Sequence, residues 1–274
     1  MTTTLRPSGP LQQTAAGARS RPYEVRVNSR RVGALLLASD TPFGPTVGEI
    51  RDLHIDEPDR RRGRATVAAL AAEEVLRSWG CRRVRVSVPA AAGGALRMAA
   101  ALGYVEYSRN MAKELPAAPP ELPAGVRARR MTETEYGPWL ERAVEAYAED
   151  WSSRGMPREA ALAKALADHR ESLPQGVHTP GAELSVLEAG GERVGHLWVA
   201  RKGEDAYVYE VEVAAGHRGR GHGRTLMLLA ERTAVAAGHR RLGLQVFAGN
   251  TPARSLYDSL GYRTTNVNYA KDLL

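Results

Sequence analysis

The chain repeats itself, and the repeat bounds every fold open to it. Leu102-Gly103-Tyr104 recurs 158 positions later as Leu260-Gly261-Tyr262. The same offset superposes Arg60 on Arg218, Gly63 on Gly221, Gly80 on Gly238, Asn110 on Asn268 and Lys113 on Lys271. Residues 51–115 align with 209–273 without a gap, with 19 identities in 65 positions. A period this long marks a duplicated domain and not a short solenoid repeat. The length of 274 residues, about twice a usual domain of 100 to 150 residues, agrees with two compact copies. Between them lies Pro-Ala-Ala-Pro-Pro-Glu-Leu-Pro-Ala-Gly at 116–125, whose prolines favour an extended connector.

The copies differ at their front ends. In the second, residues 126–132 read as a strand, followed by helices over 133–151 and 157–173, with Gly155 and Pro157 breaking between them. Alternating β-branched segments follow at 183–189, 193–200 and 206–213, the first two joined by a Gly190-Gly191 turn. Leu226, Leu229, Ala230, Ala234 and Ala237 form the apolar stripe of a helix packed on a sheet. A strand at 242–247, a short helix at 251–261 and a tail hairpin complete the order β-α-α-β-β-β-α-β-α-β-β. The first copy offers strands at 24–27, 32–38 and 47–55, then its own helix and tail. It is expected to lack the opening strand and both following helices, because residues 1–22 read as a disordered leader. The expected domains are therefore 23–115, a linker at 116–124, and 125–274.

Composition removes several function classes. Hydrophobic residues make up 43% and charged residues 25%, which suits globular domains and not a disordered chain. The longest apolar runs, such as 226–230, are far below the roughly 18 residues of a membrane span. No apolar segment of a secretory signal follows the first charge, so a cytosolic protein is expected. Cys81 stands alone, and no cysteine and histidine cluster offers zinc spacing, so neither a disulfide nor a structural metal is expected. The net charge of +7 permits an anionic partner. No helix-turn-helix, RNA-binding sheet motif or zinc spacing supports nucleic acid, and a solvated basic surface explains the charge as well.

The chemistry-bearing stretch lies in the second copy. Arg218-Gly219-Arg220-Gly221-His222-Gly223 stands between a strand and a helix. Glycines let the backbone turn tightly and aim its N–H groups at a ligand, while the helix N-terminus adds positive potential. Such a nest suits a pyrophosphate. It has neither the Lys-Ser/Thr of a Walker loop nor the dinucleotide glycine spacing.

Val213 through Gly223 resembles the V-x-P-x-x-R-G-x-G motif of the GNAT superfamily of N-acetyltransferases, with Ala215 where the family has proline. Residues 250–262, with Asn250, Ala253, Leu256, Tyr257, Gly261 and Tyr262, are similar to its N-x-x-A-x-x-L-Y-x-x-x-G-F/Y motif. The resemblance covers 125–274 fully and 23–115 partially. It implies an α/β (α+β) fold of two tandem GNAT units, each a mixed, mostly antiparallel twisted sheet flanked by helices. It also implies acetyl-CoA or another acyl-CoA as cosubstrate, without a metal. A tandem with a degenerate first copy is similar in architecture to the mycothiol synthase family.

Moving an acetyl group from a thioester to an amine requires a neutral amine, a polarised carbonyl and a proton for the thiolate. By the resemblance, backbone near Val211 to Val213 polarises the carbonyl, Arg218 to Arg224 hold the pyrophosphate, Asn250 and Ala253 meet the pantetheine arm, and Tyr257 protonates the sulfur. Glu210 and Glu212 share one strand face by the period of two, so either could take the amine proton. Substrate-ammonium recognition and a merely solvated face stay open for both, and for Asn250 so does a helix cap. His217 and His222 flank the nest as solvated side chains. The helices rich in Trp139, Glu145, Tyr147, Glu149, Asp150 and Trp151 would wall the acceptor, and their carboxylates would suit a cationic amine.

In the first copy, Arg60-Arg61-Arg62-Gly63-Arg64-Ala65 retains the nest as a second coenzyme A site or as a structural remnant. Ala92 and Ala99 stand where the second copy has Asn250 and Tyr257, so that copy lacks the anchor and the acid. The expected activity is N-acyl transfer to an amine of a small molecule or peptide, from one site in the second copy. Longer acyl chains delivered by an acyl carrier protein, a non-catalytic acyl-CoA-binding module, and an oligomer all stay open.

Overall fold

A computed structural model of the chain describes residues 2–14, 17–41, 44–153 and 156–273. The first half runs β1 (Thr3–Pro7), β2 (Gln12–Gln13), β3 (Arg19–Val27), β4 (Arg30–Thr41), β5 (Gly44–Ile55), α1 (Arg64–Ser78), β6 (Arg83–Pro89), α2 (Gly93–Ala101) and β7 (Val105–Glu114). The second runs β8 (Val126–Arg130), α3 (Glu133–Ser153), α4 (Arg158–Ser172), β9 (Ala182–Ala189), β10 (Glu192–Lys202), β11 (Asp205–Val213), α5 (His222–Ala236), β12 (Arg241–Phe247), α6 (Thr251–Ser259) and β13 (Arg263–Asp272). Two compact units result. Unit 1 holds residues 1–110, 247–249 and 264–274, and unit 2 holds 111–246 and 250–263.

In unit 1 the strand order is β1-β3-β4-β5-β6-β13. All neighbours are antiparallel except β5 and β6. The expected disordered leader is corrected here: Thr3 to Pro7 pair with Val27 to Tyr23, and Leu5 packs against the core. The first copy therefore has its opening strand. What it lacks is the helix pair, since between β1 and β3 the described residues carry only β2. A polar, proline-containing edge strand has no alternating apolar face to betray it. The expected tail hairpin is corrected as well. Residues 263–272 are one strand, which pairs with β6 from Asn266↔Pro89 to Asp272↔Arg83 and so needs no turn.

Unit 2 has the order β12-β11-β10-β9-β8, with the end of β7 beside β12. Here β11 pairs with β12 in parallel, whereas β8 with β9, β9 with β10 and β10 with β11 are antiparallel. The two helices expected in the acceptor region are α3 and α4; Gly155 lies outside the described residues. Helix α3 starts on a capping box. Glu135 N–H donates to Thr132 Oγ1 at 3.3 Å, and Thr132 N–H donates to Glu135 Oε2 at 2.9 Å. Arg129 on β8 grips Glu135 and Glu188, each at 2.7 Å, fixing the helix start to the sheet.

The apolar stripe of α5 falls as its spacing predicts, with Leu226, Leu229, Ala230 and Ala234 buried against β10 and β11. Ala237 is the exception: it caps the helix and is exposed. Each fully buried leucine here contributes about 1.5–3 kcal/mol by leaving water. A second unit 2 cluster lies on another part of the fold, built from Trp139, Leu173, Leu184, Val186 and Trp198. Among the described residues no helix is long and apolar enough to cross a membrane.

Candidate active site

The site of unit 2 begins where two strands part. Parallel pairing of β11 with β12 covers only Ala206↔Leu242, Tyr207↔Gly243 and Val208↔Leu244, whereas β11 continues to Val213. Its β12-facing backbone from Tyr209 onward thus has no ladder partner, although Val211 and Val213 stay paired to Leu197 and Gly195 on the other side. A bulge sits at the same place. Trp198 pairs with Glu210 and Val199 with Val208, which leaves Tyr209 as the extra residue. Unpaired backbone at the mouth of a slot is what a carbonyl oxygen needs from an enzyme.

Beyond Val213 the chain turns through Ala215–His217 into α5. Gly219 and Gly221 hold φ of 76° and 86°, a region that favours glycine. Gly221 is the N-cap of α5 and supplies no side-chain cap. The first N–H groups of the helix therefore face outward without an acceptor, beside the positive end of its dipole. Arg218 braces the loop by donating from Nε to the Val213 carbonyl at 3.2 Å. Arg224 reaches Ser259 Oγ at 2.6 Å, and a Cβ on Gly223 would meet Leu256 at 3.2 Å, so α6 packs close beside the nest. His217 approaches Glu192 at 3.6 Å and stays beside His222, their rings 6.2 Å apart.

Asn250 caps α6, its Oδ1 accepting from Ala253 N–H at 3.2 Å. The capping alternative is thus realised, with the side chain still exposed. Tyr257 is 6% exposed, and burial pushes its phenol up to about 12. It holds its proton throughout the physiological range, as a donor to a departing thiolate must.

Glu210 and Glu212 do share a face, and they meet a residue that sequence reasoning missed. His196 Nε2 lies 3.2 Å from Glu210 Oε1 and 3.5 Å from Glu212 Oε2. Trp139 Nε1 donates to the other oxygen of Glu210 at 3.0 Å. Trp139 also stands edge-on to Trp198 at 5.9 Å, and Trp198 stacks on Tyr209 at 4.7 Å. The signal for His196 is its cross-strand partner Glu212, but the bulge shifts the β10–β11 register, so counting back from the turn does not find it.

Of the other residues expected in the acceptor wall, Glu145 and Glu149 are both engaged by Arg158, the latter at 3.3 Å. Tyr147 donates to Asp168 at 3.1 Å, and Trp151 is buried at its edge, 5.8 Å from Tyr147. Glu145 and Glu149 are thus engaged in local pairs. The negative charge beside the slot comes from the strand carboxylates.

Unit 1 repeats the backbone without the side chains. β5 and β6 pair only at Val47↔Arg83, Gly48↔Val84 and Glu49↔Arg85, then part. Arg60 Nε donates to the Ile55 carbonyl at 2.8 Å, the counterpart of Arg218 to Val213. Gly63, φ 71°, caps α1, and Arg61 holds φ 58° where the second copy has Gly219. A non-glycine residue in that conformation costs roughly 1–2 kcal/mol. Arg64 turns inward to a buried ion pair with Asp59, which Arg30 also grips at 2.7 Å. Ala92 caps α2 without a side-chain bond, and Ala99 is buried.

Comparison with known proteins agrees with this geometry. The model of the acetyltransferase (GNAT) family matches residues 5–104 and 138–262, once in each half. A mycothiol acetyltransferase of Streptomyces scabiei is 28% identical over 251 residues, covering 89% of this chain and 75% of that protein. The N-acetyltransferase YycN of Bacillus subtilis is 30% identical over 150 residues, 52% of this chain and 96% of its own. Among solved structures, a GCN5-related N-acetyltransferase from Sphaerobacter thermophilus aligns with a TM-score of 0.62 at 20% identity, over 92% of this chain and 80% of its own. A tandem GNAT protein from the clavulanic acid biosynthesis pathway aligns with a TM-score of 0.55 at 19% identity, over 94% and 84%. With its duplicated splayed sheet, its glycine nest and both halves matched, this chain belongs to the GNAT family of acetyltransferases, in the tandem form with a degenerate first copy.

Proposed function

We propose that the protein is an acyl-CoA-dependent N-acyltransferase that moves an acetyl group from acetyl-CoA to a primary amine of a small molecule or peptide, with one active site in the second copy. The observation that carries this reading is the parting of β11 from β12 after Val208, directly before the uncapped nest at Gly221. A thioester carbonyl laid along Val211 to Val213 would find free backbone there, while the pyrophosphate takes the N–H groups of residues 219–224. Asn250 and Ala253 border the pantetheine arm, and Tyr257 donates to the sulfur. Glu210, supported by Glu212, draws the proton from the amine, which attacks the carbonyl directly. Unit 2, residues 111–246 and 250–263, thus supplies the chemistry, and unit 1 supports it.

Likeness to mycothiol acetyltransferases over most of the chain supports a small-molecule amine as acceptor. The repeated nest backbone at Arg60 to Ala65 supports a second coenzyme A site without turnover. Release of free thiol from acetyl-CoA, with products identified by mass spectrometry across a panel of amines and peptides, tests the reading. The same panel with longer acyl-CoA and acyl carrier protein donors tests chain length. Binding of acetyl-CoA with no acyl product from any pair would reduce the protein to a binding module.

A further inference from the structure

Two carboxylates and an imidazole converge on one point of the β10–β11 face. One ligand atom each from His196, Glu210 and Glu212 lies within 4.8 Å of the others. The His196 side chain is 14% exposed, and its Nε2, though 3.2 and 3.5 Å from carboxylate oxygens, has no aligned hydrogen-bond partner. With the ring proton on Nδ1, His196 turns a lone pair toward both carboxylates, and the three groups repel one another unless a cation stands among them. The spread suits a single ammonium nitrogen making charge-assisted hydrogen bonds of about 2.8 Å to each. Glu210 cannot swing away, because Trp139 holds its other oxygen. Next to it the bulge residue Tyr209 stacks on Trp198 at 4.7 Å and meets the Tyr207 ring at 5.1 Å, and its 40% exposure leaves part of an aromatic surface open beside the cage.

We propose that His196, Glu210 and Glu212 form the cage for the acceptor's ammonium group, and that the acceptor is a primary amine on a flat apolar body with no carboxylate beside the amine. This rests on the acyltransferase reading above and moves the resting place of the proton from Glu210 to the imidazole. An acceptor carboxylate next to the nitrogen would face both glutamates at close range, and like charges there oppose binding. In the cage the ammonium gives one proton to His196 Nε2, leaving a neutral amine and an imidazolium held between two carboxylates. The amine lone pair then forms the C–N bond as the thioester C–S bond breaks. The second amine proton leaves with the thiol, so the products are amide, thiol and imidazolium.

The test is imidazole and amide NMR of the full chain with coenzyme A present, titrated with tyramine, tyrosine and tyrosol. These probes share a phenol and differ in the ammonium and the carboxylate. Tyramine is expected to shift His196 and Tyr209 saturably, at least tenfold more tightly than tyrosine, with tyrosol silent. Glu212→Gln should weaken the tyramine response about tenfold. Equal responses to tyramine and tyrosine, or no movement of His196 with any probe, overturn the cage. If the amides of Gly221 and Gly223 answer to coenzyme A while His196 stays still, the cage alone has failed. If neither responds, the acyltransferase reading fails with it.

Discussion

Lys113 Nζ and the Glu231 carboxylate form an ion pair at 2.7 Å, and 158 residues further along the repeat Lys271 pairs with Glu73 at the same distance. Lys113 comes from the end of the first copy but folds in unit 2; Lys271 comes from the end of the second and folds in unit 1. Each copy's last strand thus completes the other's core: Met111 is 1% exposed in unit 2, and Leu273 is 8% exposed in unit 1. Glu231 is 2% exposed on its side chain, so removing its cation strands a buried charge. Lys113→Met should cost about 3–5 kcal/mol in urea unfolding, and Lys113→Met with Glu231→Met should recover much of it. Equal stability of the single variant and the wild type would contradict this exchange. A fragment cut at the linker, lacking Lys113 or β13, should not fold by itself.

Arg129 is expected to shape the acid side of the stability profile. Beside Arg129, Glu135 is held down to about 2 from its ordinary 4.5, mainly by the hydrogen bond from the guanidinium. A lowered folded value gives stability that is present above about 4.5 and lost as pH falls toward 2. Arg129→Met should therefore raise the midpoint of acid unfolding, followed by circular dichroism between pH 5 and pH 2 (a window of about three units). An unchanged midpoint would show that this contact does not set acid stability.

Tyr257→Phe should keep coenzyme binding and lower turnover roughly 10²- to 10⁴-fold, since only the phenolic proton is lost. With the native phenol raised to about 12 by burial, the neutral form is favoured by folding. Its contribution to stability is complete below about 10, the unfolded value, and is lost as pH rises through about 12. A Tyr257-dependent fall in turnover should accordingly lie at about pH 12, the folded value, and vanish in the Phe variant. Full turnover by a folded Phe variant, with chemistry shown to be rate-limiting, would rule out the acid role.

Gly221→Val tests the nest. Nothing lies within 4 Å of a Cβ at this position, so the substitution acts through the backbone, whose φ of 86° a β-branched residue rarely adopts. Turning the loop back re-aims the first N–H groups of α5. Coenzyme A affinity should fall at least tenfold, about 1.4 kcal/mol. Calorimetry on the folded variant reads it directly, and unchanged affinity would remove the nest from the binding account.

Much of this was legible in the sequence because it is local. The nest at 218–223 and the stripe through Leu226, Leu229 and Ala230 each need only neighbours along the chain. What depends on pairing was not. Residues 3–7 have no apolar alternation, and only their ladder with β3 makes them a strand. The tail at 263–272 is one strand because β6 receives it, and the repeat by itself does not say which unit each terminal strand joins. His196 escaped for the same reason, since the bulge at Tyr209 decides which residue of β11 it faces.

The most direct measurement is a crystal structure of the full chain with acetyl-CoA. The pyrophosphate is expected on the N–H groups of residues 219–224, the thioester carbonyl against the backbone at Val211 to Val213, and the sulfur at the Tyr257 hydroxyl. Acetyl-CoA lying only on Arg60 to Ala65, or with its sulfur out of reach of Tyr257, would contradict a single active site in the second copy.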